Sequence, residues 1–164
     1  MKAKLLFPLL ILVSIFMTSC SSDSMIEDET TQITLEVAPE AKIIEIEILE
    51  LINDYRIGLN LTPLNNLNII KSVAYTHTEY MLESNDVSHA NFYQRSLALT
   101  ENASAIKVGE NVAYGFSNAQ SVVNAWINSD GHRANIEGDF NYFDVSAEQN
   151  AQGKWYFTNM FIKK

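Results

Sequence analysis

Between Gly109 and Ile136 the chain reads G-E-N-V-A-Y-G-F-S-N-A-Q-S-V-V-N-A-W-I-N-S-D-G-H-R-A-N-I. This stretch holds a carboxylate (Glu110), an imidazole (His132), a guanidinium (Arg133), an indole (Trp126) and three glycines. A carboxylate and an imidazole brought together can move a proton, hold a metal ion or orient a ligand. Glycines beside polar side chains point to backbone bent tightly around a site, because glycine takes positive φ without steric cost. A second imidazole, His89, comes from the polar segment Ser88-His89-Ala90-Asn91. That segment lies between two helical patterns, and loops on a rigid scaffold are where sites are commonly built. The third, His77, falls on an apolar helical stripe, where a histidine is normally a satisfied core or boundary residue.

Two long helices are expected to carry these groups. Over residues 41–57, Ile44, Ile48, Leu51, Ile52 and Tyr55 recur at helical spacing, with Glu45, Glu47, Glu50 and Asp54 mostly on other faces. Pro39 and Glu40 suit the first turn and Gly58 suits a C-terminal cap. A second helix runs from residue 66 or 67 to 83, with Ile70, Ala74, His77 and Met81 in one stripe. Residues 92–98 form a short helix whose Arg95 faces solvent or caps a neighbour, and 100–107 are irregular. Residues 108–116 read as a strand bounded by Gly109 and Gly115. Ser117 or Asn118 can cap a helix over 119–128 that turns Val122, Val123 and Trp126 inward. The turn Ser129-Asp130-Gly131 then delivers His132 and Arg133. Residues 143–148 and 155–162, joined by a turn at 150–153, read as an antiparallel hairpin. Helices first and strands late make the fold class α+β.

Composition narrows the function. The 164 residues carry a net charge of −9. Removing residues 1–19 takes away Lys2 and Lys4 and no acids, leaving nine bases against twenty acids. A surface this acidic repels phosphate backbones, which counts against nucleic acid as a partner. The single cysteine, Cys20, rules out an internal disulfide and a thiolate metal site in the folded part. Lys2 and Lys4 followed by the apolar run Leu5–Met17 read as a secretory leader, too short to span a bilayer. Met17-Thr18-Ser19-Cys20 resembles the bacterial lipobox, which implies cleavage before Cys20 and acylation of that cysteine. The lipid bilayer is then a partner, through an anchor in the cell envelope outside the cytoplasm. The Ser-, Thr- and acid-rich residues 20–39 read as a flexible tether, with the alternating Ile33–Val37 as a short strand-like exception.

Leu51-Ile52-Asn53-x-x-Arg56, Ser88-His89, Gly109-Glu110-Asn111-Val112-Ala113-x-Gly115 and Trp126-x-Asn128-Ser129-x-Gly131-His132-Arg133-x-Asn135-Ile136 follow one another in the chain. In that order they resemble the CAP superfamily of cysteine-rich secretory proteins, antigen 5 and pathogenesis-related proteins. The chain is similar to the bacterial, YkwD-like branch. The resemblance covers about residues 43–162. It implies an α-β-α sandwich with a small antiparallel sheet flanked by helices, filling residues 40–164 as one CAP domain. It also implies a cleft lined by histidines and acids: His89 matches the first histidine, Glu110 the first acid and His132 the histidine of the bacterial signature. Ser129 stands where many eukaryotic members keep their second acid, Asp144 where a glycine is usual, and Asn159 near a usual glutamine.

Three kinds of chemistry suit this cluster. His89 and His132 could ligate a divalent metal such as zinc, Glu110 adding a third ligand, although no H-E-x-x-H spacing is present. Ser129 could act as a nucleophile activated by a histidine that Glu110 orients, giving a protease or esterase. Or the cleft binds a peptide, glycan or lipid without turnover, with Tyr114, Phe116 and Trp126 as apolar wall. Beneath all three lies a purely structural network in which Glu110 satisfies buried donors. The favoured expectation is an envelope-anchored lipoprotein that binds through His89, Glu110 and His132; the alternative is a hydrolase using the same residues.

Overall fold

The computed structural model describes residues 33–164; the leader, Cys20 and residues up to 32 lie outside the described residues. In chain order the elements are α1 (Ile43–Gly58), β1 (Asn65–Asn66), α2 (Asn68–Ser84), α3 (Phe92–Ala103), β2 (Lys107–Tyr114), α4 (Ala119–Ile127), α5 (Asp130–Ile136), β3 (Tyr142–Gln149) and β4 (Trp155–Lys163). The four strands lie in the order β1-β3-β4-β2. β3–β4 and β4–β2 are antiparallel, so the expected hairpin is present and β2 joins its far side. β1 pairs in parallel with the start of β3, which makes the sheet mixed rather than purely antiparallel.

Strand alternation sends side chains to two separate cores. On one face Phe143, Val145, Ala147, Phe157 and Phe161 pack against Ile48 and Ile52 of α1 and Val122, Val123 and Trp126 of α4. On the other, Met160 and Ile162 pack against Ile70, Val73 and Ala74 of α2 and Ala98 and Leu99 of α3. The α-β-α sandwich follows directly from this division.

The local chemistry departs from expectation at several places. α1 begins at Ile43, where Glu45 Oε2 accepts the Lys42 N–H at 2.7 Å. Gly58 is the last helical residue rather than a left-handed cap, and Asn60 takes the positive φ of 60°. α3 runs five residues past Ala98, so the irregular segment shrinks to 104–106. Ser129-Asp130-Gly131 is not a free turn, because α5 starts at Asp130. Asn118 caps α4 as expected, accepting the Ser121 N–H at 2.9 Å. Of the expected tether, residues 33–39 are extended: Ile33 and Leu35 pack on the α2–α3 core, and the Glu36 N–H donates to Thr76 Oγ1.

Both free sheet edges are closed by side chains. Along β3 the Ala147 N–H donates to Glu45 Oε1 at 2.8 Å and the Val145 N–H to Asp144 Oδ1 at 2.9 Å. Along β2 the Val112 carbonyl accepts from Trp126 Nε1 at 3.2 Å and the Glu110 carbonyl from Asn135 Nδ2 at 3.0 Å. Buried Arg56 ties α1 to the far end of α5, donating to the carbonyls of Thr62, Ile136 and Gly138.

Candidate functional site

Glu110 sits mid-strand in β2 with its side chain on the α2–α3 face, 1% exposed. Both its oxygens are taken. Arg95 of α3 donates Nε to Oε2 at 2.6 Å and Nη2 to Oε1 at 2.8 Å, a two-pronged pair that fixes the carboxylate plane. His89 Nδ1 donates to Oε1 at 2.7 Å. Burial pushes the Glu110 carboxyl up, but the hydrogen bonds from His89 and Arg95 and the Arg95 charge outweigh it, holding the group below the usual carboxylate range. Glu110 is thus a fixed anion.

Arg95 is the residue that sequence reasoning misplaced. It is 2% exposed, neither solvent-facing nor a cap. Its signal was present: Arg95, Ala98 and Leu99 share one helical stripe, and a cation on an apolar stripe calls for a buried anion. Its Nη1 also holds the Ala90 carbonyl, pinning the loop that carries His89.

His89 is the exposed member, with 54% of its side chain open to solvent. Because Nδ1–H points at a carboxylate, the neutral ring offers Nε2 as an acceptor outward. Beneath it His77 is 2% exposed and donates Nε2–H to the Ser88 carbonyl at 2.8 Å. Burial and the Arg95 charge push the His77 imidazole down to about 4, so it stays neutral.

His132 approaches from the opposite face of the sheet. It lies on α5, half-buried, its pKa lowered by burial and then by His89. His89 and His132 therefore sense each other across the edge of β2 without a hydrogen bond between them. Asn111 Nδ2 donates to the His132 carbonyl, and Asn135 Nδ2 donates to both the Glu110 carbonyl and Asn111 Oδ1. Gly109 permits this close approach, since a Cβ there would meet Asn135 Oδ1 at 2.7 Å and Phe140 at 3.0 Å. A shallow cleft of about 350 Å³ opens beside His89, lined also by Phe92, Val108, Gly109, Glu110 and Asn135. His132 lies outside that lining.

Ser129 is the N-cap residue of α5 and makes no side-chain hydrogen bond to either imidazole. Its carbonyl accepts from the Arg133 N–H. Among the described residues no three His, Cys, Asp or Glu side chains come together to hold a metal ion. Glu110, its oxygens filled by Arg95 and His89, does not fit as a third zinc ligand, and His89 and His132 alone would offer two imidazoles.

The family model for the cysteine-rich secretory proteins matches residues 49–161. The chain belongs to the CAP family. All four candidate site residues fall inside that match. A relative by sequence, 33% identical over 124 residues, is the uncharacterized membrane protein YlbC of Bacillus subtilis. The match covers 73% of this chain and 34% of YlbC, so the chain spans about a third of that relative's length. Among solved structures, an extracellular SCP-domain protein of Bacillus anthracis superposes with a TM-score of 0.65 at 27% identity, over 73% of this chain and 40% of that one. An outer surface protein of Borrelia burgdorferi shares the fold, with a TM-score of 0.65 at 24% identity over 71% of this chain and 90% of that one.

Two outcomes follow from the buried charges. Glu110→Gln leaves the Arg95 guanidinium buried without its anion and should cost about 3 kcal/mol in urea unfolding. A loss below about 1 kcal/mol would show that the pair does not hold the loop. For His77, the folded pKa of about 4 lies below the ordinary 6.5, so the unfolded chain binds the extra proton between those values. Stability falls as pH drops through that window, by on the order of 3 kcal/mol for this group. Buried Asp144, raised from 3.8 to about 6, acts in the opposite sense over an overlapping range. His77→Gln isolates the histidine: the stability gap between wild type and variant should narrow from pH 7 to pH 4.5. A gap constant over that range would mean His77 is not held neutral.

Proposed function

We propose that this CAP-family protein is a lipoprotein held at the cell envelope that binds an extracytoplasmic peptide, glycan or lipid in the cleft beside His89, without turning it over. The observation that carries the reading is the saturation of Glu110. A carboxylate clamped by a buried guanidinium neither takes up protons near neutrality nor opens a coordination site, but it does fix the imidazole it touches. His89 thereby becomes a rigid acceptor at Nε2, with Phe92 and Val108 as apolar floor, while His132, outside the cleft lining, would meet only a ligand that extends past β2. Rigid polar groups over a small apolar surface suit orientation of a ligand.

The hydrolase reading has one observation in its favour. Glu110 and His89 stand as the acid and base of a serine–histidine–acid arrangement do, with the carboxylate on Nδ1 and Nε2 free. Ser129 does not complete it, so a hydrolase would need a water as nucleophile.

Peptide, glycan and lipid arrays probed with the full chain test the binding reading. Wild type should give a signal that His89→Ala/His132→Ala loses, while both proteins melt alike. Equal signals would place binding elsewhere. Release of cleaved products by wild type alone would favour the hydrolase.

The location rests on the leader with its lipobox-like end and on relatives described as a membrane protein and an extracellular protein. No helix among the described residues is long and apolar enough to cross a membrane, which leaves anchoring to Cys20 in this reading. Cys20→Ala should move the protein from the membrane pellet to the soluble fraction. Retention in the pellet would overturn the lipid anchor.

A further inference from the structure

A cavity of about 600 Å³ lies away from the His89 cleft. The extended residues 37–41 form one wall, Ile46 and Leu49 of α1 a second, Lys71 and Ser72 of α2 a third, and Asp144 of β3 lines it as well. Its surface is mostly apolar, yet it contains two charged side chains that are almost fully buried. Lys71 is 9% exposed and Asp144 4%.

Neither charge is used up. Lys71 Nζ donates to Glu45 Oε2 at 2.7 Å, which leaves two of the three ammonium hydrogens. Asp144 accepts the N–H of its own neighbour Val145 at Oδ1 and a backbone hydrogen bond from Leu67, which still leaves carboxylate lone pairs over. Glu45 has nothing left to give, since its oxygens already serve Lys71 and the Ala147 and Lys42 N–H groups. Lys71 and Glu45 offset one another, so Asp144 is the odd charge. Burial raises its carboxyl to about 6 against the pull of two backbone hydrogen bonds and the Lys71 charge. Lys71 acts on Asp144 electrostatically, and the two line the same cavity, each with hydrogen-bonding capacity left. Lys71 also lies in the first turn of α2, where the helix end adds positive potential.

We propose that this cavity binds a free apolar α-amino acid, its ammonium on Asp144, its carboxylate on Lys71 and its side chain against Val37, Ile46 and Leu49. A buried carboxylate and a buried ammonium lining one cavity match the two charges of an α-amino acid. A fatty acid would leave Asp144 unmatched and an alkylamine would leave Lys71 unmatched. Calorimetric titration of the full-length protein in detergent with L-leucine tests this, with isoamylamine and 4-methylpentanoate as arms lacking the carboxylate or the ammonium. Leucine should bind saturably and each arm at least tenfold more weakly. Asp144→Asn should weaken leucine at least tenfold, and Ser72→Phe, which fills the cavity from α2, should abolish binding. His89→Ala/His132→Ala should leave it unchanged, which separates this site from the cleft. Absence of saturable heat with leucine overturns the proposal. So does an arm that binds as well as leucine, or a Ser72→Phe protein that binds as wild type does. If Asp144→Asn fails to fold by circular dichroism, Ser72→Phe decides the matter.

Discussion

The free edge of β2 is the constraint on which the rest of the molecule turns. A strand with one unpaired side must hide its carbonyls and N–H groups or offer them to another chain. Here the hiding is done by side chains from the helices that follow. Trp126 covers the Val112 carbonyl, and Asn135 covers the Glu110 carbonyl while holding Asn111. Gly109 makes room for Asn135, because any Cβ at that position would displace its amide. Two of the most recognisable residues of the central stretch, Trp126 and Asn135, are therefore edge closures, with Asn111 and Gly109 supporting them. Their spacing reflects the distance from β2 to α4 and α5, and they would be needed by any protein that left this strand unpaired.

The same strand sets the site. Alternation along β2 puts the Asn111 side chain on one face and the Glu110 side chain on the other, so one strand serves two layers. On the α3 side Glu110 meets Arg95, and the two form a buried pair whose Coulomb attraction must offset a desolvation cost of several kcal/mol for each ion. The geometry is good enough to do so, with both guanidinium prongs engaged and His89 on the remaining position. On the α5 side Asn111 and Asn135 fix the backbone around His132. Both imidazoles sit beside β2 because the loop carrying His89 docks on Glu110 and the helix carrying His132 docks on Asn111 of the same strand.

Much of this was legible in the chain. Period-3.6 stripes located α1, α2 and α4, and alternation located β3 and β4, because those elements bury a face and their sequences record it. His89 stood out for lying in a polar loop, and Glu110 for being a carboxylate set among glycines in the stretch that also carries His132. Arg95 was misplaced because a cation on a short amphipathic helix reads as solvent-facing unless its anion, fifteen residues on in a different element, is known. α5 was missed because seven residues beginning Asp-Gly carry turn chemistry and too little periodicity. β1 was invisible for a similar reason: two exposed asparagines have no hydrophobic pattern to betray a parallel pairing across the chain. Ser129 drew attention through its position in a familiar motif, yet its place in the fold is the start of α5. A motif fixes where a backbone goes more firmly than what its side chains do.

That distinction decides which residues report on function. Glu110, Arg95, Asn111, Asn135 and Gly109 each carry a structural duty that loss would expose first, as a lowered stability or a loosened edge. Impaired activity in their variants would say little about chemistry. The His89 Nε2 atom and the His132 ring are different, because neither is committed to any bond within the described residues. They are groups that the fold positions and then leaves unspent. The buried ion pair that positions the exposed imidazole is costly in desolvation; it returns stability by pinning the Ala90 carbonyl, but leaves His89 Nε2 without a bond among the described residues. In the proposed binding reading, a ligand outside the chain completes the histidine's second nitrogen.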